Sequence, residues 1–178
     1  KIDFEKGSLN MMRSKLGLHT KDKKDQSLIQ ELEDILHLTE TDMTILFRNL
    51  SDFKKNEKSN GLTIIQNAFY EPDEVIGNVK NRWVAWFKNY ADRLKKETFT
   101  DEERKAKMNR VNPKYVLRNY MAQLAIDDAD KGDYKLIDEL FQMLKKPYDE
   151  QSEYQKWFVK RPDWARDKVG CSMLSCSS

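Results

Sequence analysis

Residues 73–96 have the sequence DEVIGNVKNRWVAWFKNYADRLKK, and this stretch decides the fold class. Its large apolar side chains recur every three or four residues, which places them along one face of a long α-helix. We interpret that face as one that packs into a protein core, in preference to an aromatic cage for a ligand. It comprises Ile76, Val79, Trp83, Trp86, Phe87, Tyr90 and Leu94.

The segments before this helix have the same spacing, and none alternates apolar and polar residues as a half-buried strand does. A first helix is predicted over about 5–18, ending at Gly17. Residues 62–70 fit either a short helix or an extended segment. Further helix starts are predicted where Ser or Thr precedes an acidic or amide residue by three positions. These pairs are Ser27 with Gln30, Thr39 with Asp42 and, beyond the long helix, Thr100 with Glu103.

The second half of the chain predicts two more long helices. Asn112 followed by Pro113 is a strong start signal, so we expect a helix from there to about residue 130. Gly132 then suits a turn, Asp133 a helix cap, and Pro147 the end of the next helix. The residues expected on the buried faces are Val116, Leu117, Tyr120, Met121 and Leu124, and then Leu136, Ile137, Leu140, Phe141 and Leu144.

Together these elements predict an all-α fold, an irregular multi-helix bundle with one core. Residues 1–165 are expected to form a single helical domain, and residues 166–178 a mobile tail of Cys and Ser. The 178 residues include only 6 glycines and 4 prolines, as expected for long helices with few turns. The chain begins at Lys1, whereas its first methionine is Met11, so we expect a fragment of a longer chain.

Charge and hydropathy disfavour some functional classes. Lys and Arg (32) nearly balance Asp and Glu (30), which leaves a net charge of +2 and argues against a nucleic-acid partner. No apolar run approaches the roughly 20 residues that span a bilayer, so no membrane partner is expected. The two cysteines, Cys171 and Cys176, argue against a disulfide-built secreted domain and for a reducing compartment.

The residues by themselves carry no enzyme signature. The six glycines lack the spacing of a phosphate-binding loop, and no segment carries a kinase-type catalytic base or magnesium ligand. Residues 128–139 partly match a calcium-binding loop, but Asp133 stands where that loop needs glycine and Lys135 where it needs an apolar residue. Composition and spacing therefore predict a helical domain without a catalytic centre.

Several segments resemble the selenoprotein O (SelO) family, and they occur in the family's order. Residues 108–120, MNRVNPKYVLRNY, resemble the family segment M-x-x-V-N-P-K-Y-x-L-R-N-Y. The resemblance covers nearly the whole chain and is weakest across 54–70 and 95–107. The other similar segments are 12–18, 42–51, 147–151 (PYDEQ), 161–165 (RPDWA) and the terminal 175–178 (SCSS).

The resemblance implies a protein-kinase-like enzyme that transfers AMP from ATP to Ser, Thr or Tyr hydroxyls of proteins, with Mg or Mn. In that family the catalytic, nucleotide-binding and metal-binding residues lie upstream of the region represented here, so none is assigned to this chain. Its helices would form the end of the kinase-like C-lobe and its extension, structural or regulatory and not catalytic alone. The implied partners are the missing N-terminal kinase-like lobes and protein substrates, and the implied compartment is the cytoplasm if the protein is bacterial.

An alternative function is a helical protein-interaction module without enzymatic activity. An exposed apolar groove would favour that module, whereas a large apolar face that matches a missing lobe would favour the enzyme fragment.

Cys176 is the candidate redox residue. The resemblance places it third from the end, where animal members carry selenocysteine and many bacterial members carry cysteine. A thiolate on a mobile tail could exchange disulfides with a partner cysteine outside this chain. Cys171 could pair with it instead, and an inert terminal thiol is the alternative hypothesis.

Residues 112–120 have two interpretations. In the functional one, a groove for a substrate or a neighbouring lobe is lined by Lys114, Arg118 and Asn119. In the structural interpretation, which we favour, Asn112 caps a helix, Tyr115 and Tyr120 pack in the core, and Arg118 anchors a carboxylate.

Overall fold

A computed structural model of the chain describes residues 2–56, 61–168 and 171. This part of the chain is all-α, as predicted, with short 3₁₀ turns between α-helices and one isolated β-bridge, between Thr41 and Phe69. The α-helices are α1 (Ile2–Lys15), α2 (Asp25–Leu36), α3 (Met43–Leu50), α4 (Gly61–Ile65), α5 (Gly77–Leu94), α6 (Asp101–Asn109), α7 (Asn119–Ala129) and α8 (Lys135–Leu144). The 3₁₀ helices are Gln66–Ala68, Pro72–Glu74, Ser152–Trp157 and Asp163–Ala165.

The chain divides into two compact units, Lys1–Asn112 and Pro113–Ser178. The first unit contains α1 to α6, and the second contains α7 and α8. The division of the sequence into one domain over 1–165 and a mobile tail over 166–178 stays a prediction. Within the described residues, none of the helices combines the length and the apolar character that a membrane crossing requires.

The core of the first unit is built on the aromatic face of α5. Trp83, Trp86, Phe87 and Tyr90 are all buried, as the spacing predicted. Trp86 and Tyr90 stack with their ring centroids 4.9 Å apart, and the Trp86 indole N–H donates to the Leu28 carbonyl of α2 at 2.9 Å. The amphipathic helix α5 therefore packs against α2, and its aromatic side chains fill the core of the first unit.

The start of α5 was predicted too early. Residues 72–74 form a 3₁₀ turn, and the helix begins only at Gly77, whose φ is +52°. Ile76 adopts an extended conformation just before that glycine, and its side chain is 67% exposed. The chain thus changes direction at Gly77, a left-handed conformation that suits glycine, and Ile76 is removed from the core face.

One of the three capping patterns is confirmed, because Thr100 and Glu103 form the reciprocal capping box at the start of α6. Thr39 does not cap a helix: α3 begins at Met43, and its cap is Asp42, whose carboxylate accepts from the Ile45 N–H at 3.0 Å. The Ser27 prediction is wrong. Helix α2 begins two residues earlier, and the Ser27 hydroxyl donates to the Lys24 carbonyl.

In the second unit, the prediction of a helix from Asn112 is also wrong, because α7 begins at Asn119. The backbone N–H groups of Lys114 and Tyr115 donate to the Pro147 carbonyl at 2.8 and 3.1 Å. Residues 113–118 form no helix, and this pairing holds Lys114 and Tyr115 beside the segment that follows α8. The predicted turn at Gly132 is present, with φ +83°, and it joins α7 to α8.

The buried face of α8 is only partly the predicted one. Leu140 and Met143 are buried in the core of the second unit, but Ile137 is 43% and Phe141 is 58% exposed. The core around them contains Tyr115, Tyr120, Met121, Ala125, Ala165 and Cys171. Helix α8 therefore has more apolar surface than its own unit covers.

Candidate functional site

Two segments that resemble the SelO family, 108–120 and 147–151, are joined in the second unit through Lys114 and Tyr115. The Pro147 carbonyl accepts the two backbone hydrogen bonds from residues 114 and 115. The Tyr115 hydroxyl donates to the Gln151 carbonyl at 2.7 Å. The Gln151 side chain in turn donates to the carbonyls of Met143 and Lys146, at 3.0 and 2.9 Å. These bonds fasten Lys114 and Tyr115 to the C-terminal end of α8.

Lys114 is a buried cation within this arrangement. Its side chain is 9% exposed, and its ammonium group pairs with the Glu150 carboxylate. The ammonium nitrogen lies 5.6 Å from the Tyr115 ring centroid and 5.4 Å from that of Phe158. A carboxylate and two aromatic faces thus stabilise the charge, and they leave little of it for a ligand.

The other polar residues of the segment are also turned toward the protein. Arg118 is 4% exposed, and the Asn119 side-chain amide donates to the Cys171 carbonyl at 3.4 Å. Asn112 does not cap a helix: its side-chain amide donates to the Lys15 carbonyl at 2.9 Å. Tyr115 and Tyr120 pack in the core, as predicted. The geometry favours the structural interpretation of residues 112–120, with a different role for Asn112.

The two cysteines differ in what the structure says of them. Cys171 is a free thiol with no exposed surface, in the core of the second unit. Because its thiol has no exposed surface, a partner thiol cannot reach it, so Cys171 is a poor partner for disulfide exchange. Cys176, the candidate redox residue, lies outside the described residues.

Sequence reasoning missed a buried ionic network in the first unit. The Asp25 carboxylate lies 2.6 Å from Nε of Arg93 and 2.8 Å from Nε of Arg13. The Arg93 guanidinium also lies 2.9 Å from the Glu97 carboxylate. All four side chains are less than a tenth exposed. No spacing could reveal it, because Asp25 and Arg93 are 68 positions apart.

This ionic network fixes the loop between α1 and α2. The backbone N–H groups of His19 and Thr20 donate to the Glu97 carboxylate at 3.1 Å, and the Thr20 carbonyl accepts from Arg93 at 2.6 Å. Burial alone raises the pKa of Glu97, but the bonds from Thr20 and Arg93 outweigh it and lower the pKa below its usual value. The network holds charged carboxylates in place and presents no free group for catalysis.

A groove of about 550 Å³ runs between α2 and α5 beside this network. Leu28 and Trp86 line it, and Glu31, which pairs with Arg82 at 2.9 Å, stands at its edge. Lys24 and Lys96 add positive charge to its lining. The charges are of both signs, and the chemistry of the lining points to no particular ligand.

The described residues offer no metal centre. None of their His, Cys, Asp and Glu side chains form a group of three or more that could hold a metal ion. In the stretch that partly matches a calcium loop, the Asp133 carboxylate accepts from the Lys135 backbone at 3.0 Å. Glu139 accepts from the Trp157 indole at 2.7 Å and pairs with Lys156 at 2.7 Å. These carboxylates serve local structure.

Comparison with known proteins decides the family. The family profile described as "Protein adenylyltransferase SelO" matches residues 2–145, which is most of the chain. The chain belongs to the SelO family. Its similar relatives include the protein nucleotidyltransferase YdiU of Flavobacterium johnsoniae, 59% identical over 177 residues, which cover 99% of this chain and 34% of the relative.

Two further SelO-family relatives give the same proportions. The YdiU protein of Rhodopirellula baltica is 43% identical over 99% of this chain and 35% of its own length. The YdiU protein of Tolumonas auensis is 44% identical over 94% of this chain and 32% of its own length. The chain therefore spans about a third of the length of the SelO-family relatives that it matches.

Proposed function

We propose that this chain is the helical, non-catalytic portion of a SelO-family protein adenylyltransferase. The longer protein would transfer AMP from ATP to Ser, Thr or Tyr hydroxyls of protein substrates. The observation that supports this most is the family match over residues 2–145 in a chain that spans only a third of its relatives. The activity is thus assigned to the longer protein, and this chain has a structural or regulatory role in it.

ATP and Mg or Mn belong to the same proposal, and the residues of this chain do not fit them. The described side chains contain no group of His, Cys, Asp and Glu that could hold a metal ion, and the buried cations Arg13, Arg93 and Lys114 are already paired with carboxylates. We place the nucleotide and metal sites in the two thirds of the protein outside this chain. The N-terminal kinase-like lobes found there would be the intramolecular partner of these helices.

Cys176 is proposed as a redox residue of the longer protein. Cys171 is buried in the second unit, so the chain is anchored five residues before Cys176. At about 3.3–3.6 Å per residue, the Cys176 thiol would reach roughly 17 Å from that anchor. Its thiol and a second protein thiol within that reach would form a disulfide, while a low-molecular-weight disulfide is reduced to two thiols. A reducing compartment, the cytoplasm of a bacterium, suits such a switch and the free thiol of Cys171.

The redox proposal is tested by comparing the AMP-transfer rate of the longer protein in reduced and oxidised glutathione. The rate should differ between the two, and Cys176→Ser should remove the difference. Equal rates in both buffers for the unmodified protein would refute the switch.

The second candidate is a helical interaction module without enzymatic activity. The exposed apolar side chains of α8 favour it, since such a surface marks a binding site for another protein segment. Both candidates need that surface covered, and they differ in whether the protein transfers AMP.

The deciding experiment uses ATP labelled on the α-phosphate, with Mg or Mn, and follows label bound to protein. It compares this chain with the longer SelO-family protein that contains it. We expect label transfer by the longer protein and none by this chain. Transfer by this chain alone would overturn its non-catalytic role, and no transfer by either would favour the interaction module.

A further inference from the structure

Helix α8 has an exposed apolar surface beside its buried one. Leu140 and Met143 face the core of the second unit and are less than a twentieth exposed. Ile137 is 43% and Phe141 is 58% exposed, and Tyr134, which immediately precedes the helix, is 60% exposed. We call Tyr134, Ile137 and Phe141 the α8 stripe.

The α8 stripe is continuous along the helix. Its members are three and four residues apart, so they lie above one another on one face. At 100° per residue, that face is centred roughly 120° around the helix from Leu140 and Met143. Lys145 borders it, with its ammonium nitrogen 5.0 Å from the Phe141 ring centroid. An apolar strip with a polar edge has the composition of an interface.

The exposure of the α8 stripe is not explained by the stability of its own unit. Three large apolar side chains that are 43–60% exposed gain only part of the stabilisation of full burial, and they add contiguous apolar surface in water. A helix that needed only to cover its own core would carry polar residues at these positions, as it does at Lys135 and Gln142 on its third face.

We propose that the α8 stripe is the surface on which the rest of the SelO-family polypeptide docks. This inference rests on the proposed function, because it takes this chain to be part of a longer protein. The family match includes the whole of α8, and the relatives carry about twice as much polypeptide again outside the matched third. A segment on the same polypeptide has a high effective concentration at the stripe, which favours it over a separate partner.

The test measures thiol alkylation at single introduced cysteines. Phe141→Cys reports on the stripe, and Lys135→Cys reports on a face about 120° around the helix from Phe141, where the native side chain is 91% exposed. Both substitutions are made in this chain and in the longer protein, with Cys176→Ser in the background. Alkylation rates at each position are read by mass spectrometry over a hundredfold range of protein concentration.

Docking by the rest of the polypeptide predicts one pattern. Alkylation of Phe141→Cys should be at least 10-fold slower in the longer protein than in this chain, at every concentration. Lys135→Cys should react equally fast in both. Circular dichroism of each variant checks that α8 remains folded, and Ile137→Cys provides a second reporter if Phe141→Cys unfolds the unit.

Other patterns overturn the inference. Protection that appears in both proteins and grows with concentration would mean that a second copy covers the stripe. Equal, fast alkylation in both proteins would mean that the rest of the polypeptide leaves it open. The AMP-transfer assay separates this failure from that of the proposed function: a longer protein that transfers AMP with an open stripe refutes only the docking surface.

Discussion

Replacing Asp25 by alanine is the sharpest test of what holds the first unit together. Asp25 is 2% exposed and lies within 2.8 Å of Nε on both Arg13 and Arg93. Its carboxylate also accepts from the Asp22 backbone N–H at 3.0 Å. Alanine would remove a carboxylate from two buried guanidinium groups, of which Arg93 would keep its pairing with Glu97.

Removal of one partner from a buried ionic network costs about 3–5 kcal/mol, because the remaining charge stays buried without compensation. Asp25 is also the first residue of α2, but the loss of a favourable helix-dipole interaction accounts for only about 0.3–1 kcal/mol. With a urea dependence of about 2 kcal/mol per molar, the larger loss lowers the unfolding midpoint by roughly 1.5–2.5 M.

The assay is urea unfolding at pH 7, followed by tryptophan fluorescence, since Trp83 and Trp86 are both buried in the first unit. The matched control is Asp92→Ala, which removes an exposed carboxylate paired with Lys95 on the surface of α5. That control should leave the midpoint almost unchanged.

A midpoint for Asp25→Ala that falls no further than the helix-dipole effect allows would refute the reasoning. It would mean that water or a shifted side chain compensates the two arginines, so that the network contributes little. A fall of the expected size in both Asp25→Ala and Asp92→Ala would equally refute burial as the cause.

The remaining predictions concern the stability of the chain at low pH and the substitution of two glycines. The folded-state pKa is lowered for Glu97, and for Asp22 to about 2, so the unfolded state binds more protons and stability is lost as pH falls below about 4.5. The urea midpoint of the unmodified chain should therefore fall between pH 7 and pH 3, and it should fall less steeply in Glu97→Gln. An equally steep fall in that variant would mean that Glu97 does not cause the acid sensitivity. Gly61→Ala should destabilise by about 1–3 kcal/mol, because its Cβ would lie 2.2 Å from a ring carbon of buried Phe87. Gly7→Ala, in open space within α1, should instead stabilise by about 0.5–1 kcal/mol. Equal effects of the two substitutions on thermal unfolding would contradict the close packing of Gly61 against Phe87.

The Asn112–Pro113 prediction shows where local signals fail. An Asn before a Pro does favour a helix start, and the preference is real at the level of the backbone. In the structure residues 113–118 form no helix, and the N–H groups of Lys114 and Tyr115 donate instead to the Pro147 carbonyl, more than thirty positions later in the chain. Thr100 succeeded as a cap because its partner is three residues away and needs no tertiary contact.

The candidate site was predictable only in part. The sequence pointed to residues 108–120 and 147–151 separately, through their resemblance to one family, and their hydrogen bonds to each other came from the structure. The spacing of α8 correctly predicted an apolar face. It could not predict which part of that face is covered, because periodicity reports hydrophobic character and not the position of the neighbour.

The sequence by itself determined the fold class, the family and most of the helices. Apolar spacing and local caps act within four or five residues, so a single stretch such as 73–96 carries enough information for its own helix. Only the tertiary structure decided that Asp25 and Arg93 share a buried network and that Phe141 is left exposed. Those outcomes depend on which distant surfaces meet, and on desolvation once they meet, which no local pattern encodes.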